Sequence, residues 1–208
     1  GEEPGNEVAR LRREAEAVAK VDAHAGIVRV RDLGEHRRMP FVAMDLVEGQ
    51  DLKALVKAGG PLPVDEALAY TEQTARAIQH CHDKGVLHRD LKPANLLLRA
   101  ADNQVFVTDF GLALDLTEDR LTKTGEVMGT PAYMSPEQAE GLKDEIDHRT
   151  DVYALGAILY ELVTGKTPFS GDAIQILKKI FLNMPKAVGA LRPDAPSDVN
   201  LVCMKAMA

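Results

Sequence analysis

The chain has 208 residues, 45% hydrophobic and 27% charged, with a formal net charge of −7, which is enough for one well-buried core or for one lobe and part of another. Acidic and basic residues are interspersed, so there is no basic footprint and no nucleic-acid partner is expected. The two cysteines, Cys81 and Cys203, exclude a disulfide framework and read as buried thiols in a reducing compartment; with no signal-peptide pattern over Gly1–Asn6, the expectation is a cytoplasmic chain, compatible with an anchor elsewhere.

In chain order, Glu7–Val21 carries Val8, Leu11, Ala15 and Val18 at spacings of three and four, which predicts an amphipathic helix. Ile27–Leu33 and Phe41–Val47 predict paired strands, with the charged stretch Glu35–Arg38 between them. A helix is predicted from Val64, preceded by Pro63 and ended by Gly85, with Val64, Leu68, Ala75 and Ile78 on one face. Two short strands follow, Leu96–Leu98 and Val105–Thr108, joined by a turn at Ala101–Asn103. Asp109–Met134 is polar and aperiodic, the kind of long irregular stretch that is usually functional inside a compact domain. Helices are predicted at Pro136–Glu140, Arg149–Val163, Asp172–Leu182 and from Asp198 onward. The longest nearly apolar run, Val152–Val163, is too short to span a bilayer and contains Glu161, so it reads as a core helix and no membrane segment is expected. His80, Cys81, His82 and His88 are not expected to converge on a metal, because helix positions one and two apart point in different directions.

The chemistry concentrates in His88-Arg89-Asp90-Leu91-Lys92-Pro93-Ala94-Asn95, which sits between a helix and a hairpin, and in Asp109-Phe110-Gly111 after that hairpin. Together these resemble the catalytic loop and metal-binding motif of the protein kinase family. The resemblance implies an α+β, protein-kinase-like fold: a mainly α-helical C-lobe over residues 48–208, and a remnant of the N-lobe, one helix and two strands, over residues 1–47. It implies transfer of the γ-phosphate of ATP to a protein hydroxyl, a reaction that depends on positioning and charge neutralisation. By resemblance Asp90 accepts the proton of the acceptor hydroxyl, Lys92 offsets charge on the terminal phosphate, and Asn95 and Asp109 hold Mg²⁺ through oxygen. His88, Phe110 and Gly111 are expected to be structural.

Gly129-Thr130-Pro131-Ala132-Tyr133-Met134-Ser135-Pro136-Glu137 is similar to the segment that closes the activation loop, with Ser135 where Ala is commoner; Thr130 and Glu137 are expected to be structural. Asp151, opening a run similar to the buried central helix, is expected to accept hydrogen bonds from the catalytic-loop backbone. Met44 resembles the gatekeeper of the adenine hinge, with the backbones of Asp45 and Val47 contacting adenine and Leu97 forming its floor. Asp51 reads either as a ribose contact or as a helix N-terminal acid. Glu14 matches the acid that pairs with the nucleotide-binding Lys, or else is one residue of a solvated face.

Lys92 and Thr130 favour Ser/Thr acceptors, and Ser135-Pro136-Glu137-Gln138-Ala139 looks most like bacterial receptor-type serine/threonine kinases. Arg89 could bind a phosphate on the activation loop, with Thr122 and Thr124 as candidate sites if they are not simply polar loop residues. No Gly-x-Gly-x-x-Gly precedes Glu14, and the only Lys before the hinge is Lys20, on the predicted helix. The distal Arg that pairs with the acid matching Glu137 is also not reached. The expectation is therefore a fragment, incomplete at both ends of the domain and feebly active alone. A catalytically impaired kinase-like binding or scaffold module is the competing reading; joint retention of Asp90, Lys92, Asn95 and Asp109 favours the catalyst.

Overall fold

The computed structural model describes residues 21, 24–37, 39–110, 131–182 and 184–208. The predicted helix bearing Glu14 and the stretch bearing Gly111, Thr122, Thr124 and Thr130 lie outside these residues.

Two antiparallel strands come first, β1 (Val30–His36) and β2 (Met39–Met44). Their register runs from Val30 opposite Met44 to His36 opposite Met39, with an irregularity between Val30 and Asp32. This corrects the predicted limits at both strands. The turn closes at Arg37, in the left-handed region with φ 52, so the exposed Glu35 and His36 extend the strand at no desolvation cost. Ile27 and Val28 belong elsewhere: Ile27 forms a parallel bridge with Val107, and Val28 N donates to Val107 O at 2.9 Å. Asp45–Val47 leaves β2 as an irregular connection.

A second sheet orders as β3 (Gly49–Asp51), β4 (Leu96–Arg99) and β5 (Val105–Val107), all antiparallel. Gly49 is required in β3 by close approach, since a Cβ there would lie 1.9 Å from Leu98 O. Asp51 ends β3 and caps α1 (Leu52–Gly59), its Oδ1 accepting from Ala54 N at 2.8 Å, which satisfies one of the helix's orphan donors. Neither β3 nor α1 is predicted from the sequence; both are too short to show a period.

The helical part is built on α2 (Val64–Asp83) and α4 (His148–Thr164). α2 buries Ala67, Tyr70, Thr74, Ala77, Ile78 and Cys81; of the predicted face Ile78 is buried and Val64 packs on the core, but Leu68 is 40% exposed, so the buried face is rotated from the predicted one. Small residues win because they allow close packing on α4 and β5, and Thr74 bonds its hydroxyl to Tyr70 O at 2.8 Å, so its burial leaves no polar group unpaired. α4 is capped by Asp147, whose side chain accepts from Arg149 N, and stops at Gly165 with φ 69. It is buried almost all round, Ile158, Leu162 and Val163 having no accessible surface, as suits the central helix of a core.

Around it stand α3 (Pro136–Glu140), α5 (Ala173–Leu182), α6 (Val188–Leu191) and α7 (Ser197–Ala206). α6 is not predicted. α7 approaches α4 at Gly156, where a Cβ would meet Ala206 Cβ at 2.7 Å. Cys81 and Cys203 are buried free thiols, each pushed by burial up to about 12. Among the described residues no helix is long and apolar enough to cross a membrane.

Candidate active site

α2 ends at Asp83, and Gly85, with φ 71, turns the chain back so that Val86 N donates to Cys81 O at 2.9 Å. Val86 and Leu91 then anchor the loop in the core at 9% and 2% exposure. A 3₁₀ turn, Pro93–Asn95, leads directly into β4. The loop is thus clamped between a helix and a strand.

Asp151 underpins it from α4. Its fully buried carboxylate accepts from His88 N at 2.9 Å, Arg89 N at 2.7 Å and His82 Nε2 at 2.8 Å. Burial alone would raise this carboxyl, but the His82 bond and the two backbone donors outweigh it and hold it below its ordinary value. His88 is fully buried, which pushes its ring pKa down and keeps it neutral. Nε2–H donates to Thr108 O at 3.0 Å, while Nδ1 accepts from Asp90 N at 3.3 Å, an arrangement that assigns the tautomer. The ring also packs on Phe110, with centroids 4.8 Å apart. One side chain therefore ties the loop to the end of the hairpin.

Three candidate catalytic residues are in direct contact. Lys92 Nζ lies 2.6 Å from Asp90 Oδ2. Asn95 Nδ2 donates to Asp90 O at 2.9 Å, with a long contact of 3.5 Å to Asp90 Oδ2. Because its nitrogen is turned inward, the Asn95 amide presents its oxygen as the remaining acceptor. The fourth residue, Asp109, is exposed and follows Thr108, whose N donates to Asn95 O at 3.0 Å. Asp109 takes φ 58, in the left-handed region, while Phe110 beside it is 5% exposed in the core. A carboxylate and an amide oxygen at adjoining strand ends suit a hard cation such as Mg²⁺.

Thr108 Oγ1 approaches Met44 Sδ at 3.7 Å, which links the residue before Asp109 to the end of β2, the candidate hinge. Asp45 N is committed to Arg29 O at 2.9 Å, and the Asp45 carboxylate is paired with Arg31; of its backbone groups the carbonyl remains for a ligand. Leu97 is half-buried in the middle strand of the second sheet, opposite Phe106. Of the two readings of Asp51, the helix cap is observed, and it leaves Oδ2 uncommitted to the cap. A cavity of about 250 Å³ lies beside the candidate hinge, lined by residues including Val28, Asp45, Val47, Arg99 and Phe106. It touches none of Asp90, Lys92, Asn95 or Asp109.

The closing segment is held by side chains. Tyr133 O–H donates to Glu161, and Thr150 Oγ1 donates to Glu137 Oε1 at 2.5 Å. Glu137 is half-buried, and Thr150 is its hydrogen-bond donor on α4. Gln138 Nε2 donates to Arg89 O at 2.7 Å. Arg89 Nε is buried and has no hydrogen-bond partner among the described residues.

Sequence reasoning missed His82, Thr108 and Gln138, each of which holds the loop. Only Gln138 left a signal, the Ser-x-x-Gln spacing of a capping box, and that spacing says nothing of the amide's second partner. His80 and His82 diverge, His80 facing the His24 ring at 5.2 Å between centroids and His82 facing Asp151.

A sequence profile of the protein kinase domain matches residues 2–200. The serine/threonine-protein kinase PrkC of Bacillus subtilis is 41% identical over 203 residues, covering 97% of this chain and 31% of PrkC. The serine/threonine-protein kinase PknB of Mycobacterium leprae is 37% identical over 205 residues, 96% of this chain and 32% of PknB. A doubly substituted PknI kinase domain of Mycobacterium tuberculosis superposes with a TM-score of 0.76 at 29% identity, covering 98% of this chain and 71% of that one. Rad53 in complex with AMP-PNP superposes at 0.66 with 32% identity, over 82% of this chain and 42% of that one. The chain spans about a third of the length of the curated relatives it matches.

Proposed function

The chain belongs to the protein kinase family, and from that premise we propose that it is the catalytic part of a serine/threonine-protein kinase that uses Mg-ATP to phosphorylate protein hydroxyls. The observation that carries this reading is the contact of Lys92, Asp90 and Asn95 on a loop braced by Asp151 and hydrogen-bonded to Thr108, the residue before Asp109.

Phosphoryl transfer asks the protein for an acceptor of the attacking hydroxyl's proton, for positive charge near the transferring oxygens, and for rigid placement of both. Asp90 supplies the first. Lys92, already beside its carboxylate, supplies the second, and the pair orients the hydroxyl and the terminal phosphate against each other. Asn95 through its amide oxygen and Asp109 through its carboxylate would hold Mg²⁺, whose contribution when bound is to neutralise phosphate charge. The Asp45 carbonyl and the Val47 backbone would take the adenine edge, Leu97 its face, and Asp51 the ribose. Glu14 would face the Lys that the family sets on a strand. Residues 1–47 would form the N-lobe part and 48–208 the C-lobe part, and Arg89 would bind a phosphate on Thr122 or Thr124. Lys92 supports a Ser/Thr acceptor. A cytoplasmic location follows from the substrate chemistry, since ATP is supplied there.

The test is labelling by the full-length protein of a generic basic protein with Mg-ATP, followed by phosphoamino-acid analysis. Label on Ser or Thr that falls by about 100-fold or more in D109N is expected. Label on Tyr alone, or label indifferent to D109N, would reject the reading.

A further inference from the structure

The catalytic Asp of the proposed reaction is aimed by the peptide group that precedes it. Arg89 sits at φ 62, a left-handed conformation that a non-glycine residue adopts only when held there. Three bonds hold it. Arg89 N donates to Asp151 Oδ1 at 2.7 Å, Asp90 N donates to His88 O at 2.9 Å, and Arg89 O accepts from Gln138 Nε2 at 2.7 Å. The last two grip opposite edges of a single plane, the Arg89–Asp90 peptide. Rotating that plane swings the Asp90 Cα–Cβ bond, and with it the carboxylate that must meet the acceptor hydroxyl.

We propose that Gln138 is a positioning residue for phosphoryl transfer: its side-chain amide fixes the Arg89–Asp90 peptide plane and so aims Asp90. The inference rests on the kinase reading given above. The amide is oriented by chemistry at both ends. Its oxygen accepts from Ser135 N at 3.2 Å and Ser135 Oγ at 3.4 Å, so its nitrogen is the end that reaches Arg89 O. A flipped amide would set donor against donor at Ser135 and acceptor against acceptor at Arg89.

The backbone carrying Gln138 is itself anchored. Glu137 accepts from Thr150 on α4, and the next residue of α4, Asp151, holds Arg89 N. Adjacent residues of one buried helix thus support Arg89 from both flanks, Asp151 at its N–H and Thr150, through Glu137, behind the segment whose Gln138 holds its carbonyl. Gln138 joins the Pro131–Glu140 stretch to the residue before Asp90.

Q138E separates this role from a structural one. Glu is near-isosteric and remains a good capping-box residue toward Ser135, yet it opposes Arg89 O with an acceptor. In the full-length protein we expect Q138E to melt close to wild type and to keep its KM for ATP, while kcat falls by about 10- to 100-fold, the range a displaced catalytic group loses. A kcat within about twofold of wild type would overturn the proposal, as would a kcat loss accompanied by an equal rise in KM. If Q138E does not fold, Q138M removes the same bond without the repulsion, and a folded Q138M with wild-type kcat overturns it equally. D90N run alongside separates the two levels. Labelling by wild type but not D90N, with normal Q138E, sinks only the Gln138 inference; equal labelling by wild type and D90N sinks the kinase reading and this inference together.

Discussion

Removing the Asp151 carboxylate tests whether the loop's geometry is imposed from α4. In D151A the N–H groups of His88 and Arg89 and the ring of His82 lose their acceptor at a site with no accessible surface. A buried donor left unsatisfied costs about 1–3 kcal/mol, and water entering the vacated volume recovers part of it. The expected loss is about 3–4 kcal/mol for D151A. It is about 2–3 kcal/mol for D151N, which keeps one acceptor oxygen but sets an amide N–H₂ against a donor.

At about 2–4 °C per kcal/mol for a chain of this size, D151A should melt about 6–16 °C lower. Urea unfolding followed by far-UV circular dichroism measures the free energy directly, as a fall in midpoint at unchanged slope. The pH dependence has a defined sign. The folded carboxyl lies below its reference value of 3.8, so its contribution is complete above that value and is lost as pH falls through the folded pKa. The gap between wild type and D151N should be flat from about pH 7 to pH 5 and narrow below about pH 4. A D151A loss under about 1 kcal/mol would refute the view that this carboxylate carries the loop.

Other perturbations have equally specific outcomes. Y133F strips the hydroxyl from Glu161, whose carboxyl burial already raises; the variant should lose about 1–3 kcal/mol. Because a raised carboxyl costs stability as pH climbs above its unfolded value, that deficit should be larger at pH 8 than at pH 5 in parallel urea titrations. G49A forces a methyl to within 1.9 Å of Leu98 O, so β3 must separate from β4. A loss of about 1–3 kcal/mol or more is expected by thermal melting, and a neutral G49A would contradict the register.

The family was legible from two motifs, His88–Asn95 and Asp109–Gly111, because identity, order and spacing all lie within a short stretch. The helices around α4 were legible because caps and apolar runs are local. What failed was whatever depends on a distant neighbour. The face that α2 buries is chosen by small residues fitting α4 and β5, so Ala67 and Ala77 lie inside and the larger Leu68 outside, which hydrophobic periodicity does not indicate. The limits of β1 are set by its pairing with β2 and the turn at Arg37 rather than by hydrophobicity, and polar Glu35 therefore sits in a strand. The His82–Asp151 contact joins positions 69 apart, and no periodicity encodes such a pair. The family motifs could thus be read from the chain, whereas the side chains that hydrogen-bond the loop came only from the fold.

The central claim is that Asp90 receives the proton of a protein hydroxyl during phosphoryl transfer. The most direct measurement is single-turnover transfer of the γ-phosphate from Mg-ATP by the full-length protein and its D90N variant, with nucleotide affinity measured on both. The account predicts a rate lower by about 10²- to 10⁴-fold in D90N with affinity little changed. Equal rates would contradict it.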